Sequence, residues 1–178
     1  MSSAGNTYSM ILGILIIATQ IGTLILLAGL VFKNYLPDSI KSHFHSHGIK
    51  YAAMIAFFSF LGPLGYSEIF HFEPCKFCWY QRIFMFPLSL LLPLGIFRKE
   101  TSFKPYGMFL ASVGAAISLY HVLMQWGVVS SAGTTCGAVG QSVSCSVIFV
   151  HVFGYITIPM MALTAFLAIL VLLGYQEK

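Results

Sequence analysis

The chain has 178 residues, 58% of them hydrophobic and only 8% charged, with a mean hydropathy of +0.86. Soluble domains carry about 25% charged residues, so this chain cannot cover a globular surface with polar groups and belongs in lipid. The net charge of +4 does not point to nucleic acid, because the basic residues form no concentrated stripe and lie in short connectors between apolar runs.

A spanning helix needs about 20 apolar residues. The first predicted span runs from about Tyr8 to Phe32. The connector after it carries His43, His45 and His47, an alternation that suits a transition metal if the backbone is extended. With no cysteine or carboxylate cluster beside them, a solvated loop is the favoured reading. The second span is about Lys50 to Phe70, the third about Trp79 to Phe97, the fourth about Lys104 to Val128 and the fifth about Val147 to Tyr175. Pro87, Pro93 and Pro159 fall inside spans, where membrane helices tolerate kinks. No repeat or soluble domain remains, so the expectation is one all-α membrane bundle.

Cation counting orients it. With five spans, one side holds Lys33, Lys41, Lys50, Arg98, Lys99, Lys104 and Lys178, while the other holds Lys76 and Arg82. The richer side is expected to be cytoplasmic, placing the N-terminus outside. Residues before the first span carry no Lys or Arg, which fits a secretory signal peptide poorly. All four cysteines then lie outside, where paired thiols persist as disulfides.

Cys75 and Cys78 form a Cys-x-x-Cys pair at the head of the third span, within Pro74-Cys75-Lys76-Phe77-Cys78-Trp79-Tyr80-Gln81-Arg82. Cys78 is expected in the first helical turn, where unpaired N–H groups favour an anion, with Arg82 four residues on along the same face. Both effects favour the reactive thiolate. A structural disulfide or half of a zinc site remains open on this motif alone. Arg82 near the head of a span needs either a partner or a route to the interface. His121 and Gln125, four residues apart near the outer end of the fourth span, can face one pocket.

Cys136 and Cys145 sit in the polar segment from Ser130 to Ser146, which also holds Gly133, Gly137 and Gly140. A loop staple or a mobile disulfide both suit it. A four-cysteine zinc site is disfavoured by the eight intervening residues, and haem attachment by Trp79 in place of histidine after Cys78. His71, Glu73 and His151 read as interfacial residues, and the eight methionines as packing residues. No resident metal is expected.

These residues resemble the DsbB family of disulfide-forming membrane proteins. The signature is Pro74-Cys75-x-x-Cys78-Trp79-Tyr80-Gln81-Arg82, then Tyr120-His121-x-x-x-Gln125, the later cysteine pair, and Phe153-Gly154-Tyr155-Ile156-Thr157-Ile158-Pro159. The resemblance covers about residues 50 to 175 and looks closest to the BdbC branch. It implies a four-helix redox bundle in the bacterial cytoplasmic membrane, here residues 48–178, with residues 1–47 an additional spanning helix and cytoplasmic loop.

The resemblance also implies two redox-active disulfides, Cys75 with Cys78 and Cys136 with Cys145. An extracytoplasmic thioredoxin-like oxidase is the implied partner, and a non-covalently bound membrane quinone (menaquinone or ubiquinone) the electron acceptor. Carried over, the partner's thiolate attacks Cys136, the released Cys145 attacks Cys75, and Cys78 is freed beside the quinone with Arg82. His121 and Gln125 match a region near the quinone. Such an enzyme supports disulfide formation in exported proteins. A reductase similar to vitamin K epoxide reductase is disfavoured because its loop cysteines precede the membrane pair. A metal-binding membrane protein with structural cysteines is the non-enzymatic alternative.

Overall fold

A computed structural model describes residues 3–32, 36–129 and 145–176. Among the described residues five α-helices carry the fold: α1 (Ser3–Val31), α2 (Asp38–Leu64), α3 (Lys76–Arg98), α4 (Lys104–Gln125) and α5 (Ile158–Gly174). A wide turn, Gly65–Ile69, extends α2 with i→i+5 geometry. The first four helices are each long and apolar enough to cross a membrane, and α5 is a shorter apolar helix. Side chains such as Leu24, Leu90, Phe97 and Phe109 stand exposed around the bundle. An apolar exterior of this extent fits a multi-pass membrane protein.

Helices α2, α3, α4 and α5 pack in a ring, each against its two neighbours, and α1 lies outside the ring along α5. Lipid gives apolar faces no reason to associate, so close packing must hold the ring together, and small residues permit it. Ala52 and Ala56 on α2, Ala111 on α4 and Ala165 on α5 are buried at these seams. Phe166, Leu88, Leu92, Ile169 and Leu173 fill the centre. Gly48 passes so near α5 that a Cβ there would lie 2.7 Å from the carbonyl oxygen of Leu172.

Two predicted elements differ from the structure. Helix α2 begins at Asp38, well before Lys50, so His43, His45 and His47 are helical. The extended metal-binding geometry is therefore absent. His43 instead bonds the Tyr51 hydroxyl at 2.9 Å and stacks on His47 at 4.8 Å, while His45 lies on another face. The expected division at residues 47 and 48 falls inside this helix, which crosses it unbroken.

The fifth helix starts at Ile158 rather than near Val147. The intervening apolar residues form a tight turn, with Val152 and Ile156 bridged and Phe153 and Gly154 both at positive φ (52° and 78°). Helix cannot pass through such a turn, and Pro159 suits the first turn of the helix that follows.

Candidate functional site

Cys75 is the N-cap of α3, and its sulfur accepts the backbone N–H of Cys78 at 3.4 Å. Both are unbridged thiols with their sulfurs 3.0 Å apart. The hydrogen bond from the Cys78 thiol holds the Cys75 thiol well below its ordinary range; neighbouring His121 reinforces the effect and burial opposes it. In this dithiol state the helix end therefore favours the thiolate on Cys75. The sequence places it on Cys78, but the capping geometry turns the earlier sulfur, not the later one, onto the exposed N–H group.

His121, on α4, is 1% exposed and stands between the cysteine-bearing segments. Its Nε2 lies 3.0 Å from the carbonyl oxygen of Cys145 and 3.7 Å from Cys75 Sγ. A carbonyl only accepts, so Nε2 carries the proton and Nδ1 must accept. The donor to Nδ1 is the Gln81 amide, at 3.1 Å. Gln81 is 5% exposed and belongs to α3. Cys75, Met124 and Cys145 share one buried cluster with Phe77, Cys78 and Tyr120 packed on it. Cys145 is disulfide-bonded. Cys136 lies outside the described residues.

Arg82 is buried beneath the indole of Trp79, 5.3 Å from the ring centroid. Its Nη2 donates to the Pro63 carbonyl at 2.9 Å and to the Ser67 hydroxyl. The wide turn at Gly65–Ile69 interrupts the ordinary i→i−4 ladder after Pro63, and the Pro63 carbonyl there accepts the Ser67 hydroxyl at 3.0 Å as well as Arg82. Arg82 Nε is buried without a hydrogen-bond partner. Beside it opens a cavity of about 600 Å³, within the size range of ligand pockets. Cys78, Gln81, Arg82 and Ser67 line it at this end, and its remaining walls are mostly apolar.

The structure thus brings Cys75, Cys78, Arg82 and His121 to one end of the bundle, but divides them between two places. Cys78 and Arg82 line the large cavity; His121 and Gln125 do not, and line instead a small void shared with Cys75 and Cys78. Gln125 directs its amide toward the Val147 carbonyl at 3.5 Å, and its own oxygen is buried and unpartnered. Gln81 and Ser67 escape the sequence reading. Gln81 was recoverable, since positions 78, 81 and 82 share a helical face and a glutamine in an apolar span needs a partner.

The thiols of Cys75 and Cys78 and a ring nitrogen of His121 lie within 4.8 Å of one another, close enough to interest a soft metal ion. Two thiolates on a tetrahedral zinc with bonds of about 2.3 Å stand about 3.8 Å apart, wider than the 3.0 Å found.

A family model described as "Disulfide bond formation protein DsbB" matches residues 48–176. A "Probable disulfide formation protein" of Oceanobacillus iheyensis is 45% identical over 66% of this chain and 79% of its own length. A "Probable disulfide formation protein C 1" of Bacillus anthracis is 44% identical over 65% of this chain and 81% of its own. The "Disulfide bond formation protein C" of Bacillus subtilis is 42% identical over 66% and 83%. No solved structure matches the chain. The protein C relatives bear out the resemblance to the BdbC branch, and the chain belongs to the DsbB family of disulfide bond formation proteins.

Proposed function

We propose that this membrane protein of disulfide bond formation is a quinone-dependent dithiol oxidase that re-oxidises an extracytoplasmic thioredoxin-like partner. The single observation that carries the reading is the position of Cys78. It is hydrogen-bonded to Cys75 on one side and lines the Arg82 cavity on the other.

The residues present fit a quinone. A planar ring with two carbonyl oxygens suits a mostly apolar cavity with a guanidinium N–H, Arg82 Nε, lacking an acceptor. Arg82 and Gln81 would hold the head group beside Cys78. When bound there, a quinone supplies a two-electron, two-proton acceptor.

The protein's own steps are thiol–disulfide exchanges. A partner thiolate attacks Cys136 of a Cys136–Cys145 disulfide, forming a mixed disulfide and releasing Cys145 as thiolate. Cys145 attacks Cys75 of a Cys75–Cys78 disulfide, and the electron pair of the broken bond leaves on Cys78. The partner's second thiolate then attacks its own sulfur in the mixed disulfide and releases Cys136, which attacks Cys145 and frees Cys75. Each exchange forms one S–S bond and breaks one, so two electrons reach the Cys75–Cys78 pair without a free oxidant. His121 Nε2–H, bonded to the Cys145 carbonyl and 3.7 Å from Cys75 Sγ, steadies charge on the Cys75 sulfur. Oxidation of one partner dithiol to a disulfide delivers two electrons and two protons, matching the acceptor.

The test is to mix the purified chain with a reduced thioredoxin-like protein and a quinone, and follow quinol absorbance. Catalytic quinol formation supports the reading; its absence across menaquinone and ubiquinone with several such partners refutes it. The metal reading has the Cys75, Cys78 and His121 donor group in its favour. It requires one bound ion per chain in elemental analysis, retained when quinone is depleted.

A further inference from the structure

Helix α1 lies outside the family match, which begins at residue 48, and outside the four-helix ring. It packs along α5, is tied to the end of α2 and the turn after it near the cysteines, and is tied to the C-terminal cap of α5 at its other end. At the cysteine end, the Tyr8 hydroxyl donates to the Gly62 carbonyl at 3.1 Å, and the Tyr66 hydroxyl donates to Ser9 Oγ at 3.1 Å. At the far end, the Tyr175 hydroxyl donates to the Leu26 carbonyl at 2.7 Å. Between these clasps the middle of α1 stands away from α2, and the large cavity fills the interval.

Leu12, Leu15, Ile16 and Thr19 face the cavity from α1, and Met54 and Phe58 from α2. Thr19 spends its hydroxyl on the Leu15 carbonyl at 2.8 Å, leaving no demand for a polar ligand on this wall. The cavity is also long. Tyr51 and Pro63 both line it, and they are separated by about 18 Å of rise along α2 at 1.5 Å per residue. Arg82, Gln81, Ser67 and Glu73 are among its lining residues, and along the rest of its length Thr19, Ser59 and Tyr51 are the polar residues in an otherwise apolar channel.

We propose that α1 is the outer wall of a slot for the isoprenoid tail of the quinone, and so makes the tail part of what is recognised. The proposal rests on the quinone reading above. A tail gains little by moving from lipid chains into an equally apolar groove, so preference has to come from contact on all sides. The ring alone offers a groove open to lipid. Adding α1 gives the groove an outer wall while leaving it partly open to the bilayer between the clasps.

The experiment is a binding titration of the purified full chain in detergent, read by tryptophan fluorescence, since Trp79 lies against Arg82. The probes are menaquinone-4, which carries a tail, and menadione, which has the same ring without one. Thr19→Trp and Leu15→Trp each push a bulky ring into the slot. Ile21→Trp places the same ring on an exposed position of α1 that does not line the cavity.

Wild type is expected to bind menaquinone-4 at least ten-fold more tightly than menadione, after correction for partitioning into detergent. Thr19→Trp and Leu15→Trp should remove most of that preference while menadione affinity moves less than two-fold; Ile21→Trp should keep it. Equal wild-type affinity for both probes, or a preference that survives both slot variants, overturns the role of α1 and leaves the quinone reading standing. Failure of wild type to bind either probe overturns both.

Discussion

Cys75 Sγ lies 3.7 Å from His121 Nε2, and that nitrogen also reaches the carbonyl oxygen of Cys145 at 3.0 Å. One proton-bearing nitrogen therefore touches both segments between which electrons are proposed to pass. His121 is held in this state by Gln81, which occupies its other nitrogen. The arrangement links α3, α4 and the segment before α5 through a single buried side chain.

The first prediction concerns pH. Cys75 is held below the ordinary thiol range by the Cys78 thiol and by His121, so its thiolate, and its reactivity, should persist as pH falls below about 8.5, where an unperturbed thiol is half ionised. Reactivity is lost only as pH drops through the lowered value. In His121→Ala the midpoint should move upward. Alkylation of Cys75 in the reduced protein, followed by mass spectrometry across pH, measures it. Identical midpoints in the two proteins would show that His121 does not act on this sulfur.

Gln81→Met keeps the volume but removes the donor to His121 Nδ1. A buried acceptor left unpaired costs about 1–3 kcal/mol, so a lowered melting temperature in detergent is expected, together with slowed exchange between the two cysteine pairs. If stability and exchange rate both match wild type, Gln81 does not position the histidine.

For Arg82→His, apparent quinone affinity should weaken by about ten-fold, equivalent to about 1.4 kcal/mol. The imidazole cannot both reach Pro63 and Ser67 and present a spare N–H as the guanidinium does. The KM for quinone, at saturating partner, reads the effect. An unchanged KM would reduce Arg82 to an anchor tying α3 to α2.

Gly48→Ala tests the fold away from the cysteines. Its new Cβ would meet the Leu172 backbone oxygen at 2.7 Å, and a backbone in a packed seam has little room to retreat. Overpacking of this kind costs about 1–3 kcal/mol. Thermal unfolding should register a loss of that order; wild-type stability would mean that α2 and α5 are not in contact here.

Much of this was legible in the sequence, for reasons that differ by element. Spans three and four were read to within three residues at each end, because long apolar runs are bounded by polar and basic residues. Cys75, Cys78 and Arg82 carry a local pattern, so the first two turns of α3 bring them together. Two boundaries went astray where hydropathy and backbone geometry disagree. The polar start of α2 through His43 and His47 is helical despite its composition, and the apolar stretch before Ile158 is not, because of the turn at Phe153 and Gly154. The contact of His121 with Cys145 crosses 24 residues and depends on how α4 packs, which no local pattern encodes. The place of α1 beside the cavity is equally a matter of packing.

The most direct test of the central claim is a stoichiometric single turnover, comparing wild type with Cys136→Ser and Cys78→Ser. Each protein is mixed with reduced thioredoxin-like partner and quinone, and partner disulfide and quinol are counted together. Wild type should yield one quinol per partner disulfide, Cys136→Ser neither product, and Cys78→Ser at most one partner exchange per chain with no quinol. Quinol from Cys78→Ser at the wild-type rate, or partner oxidation by wild type without matching quinol, would contradict the account.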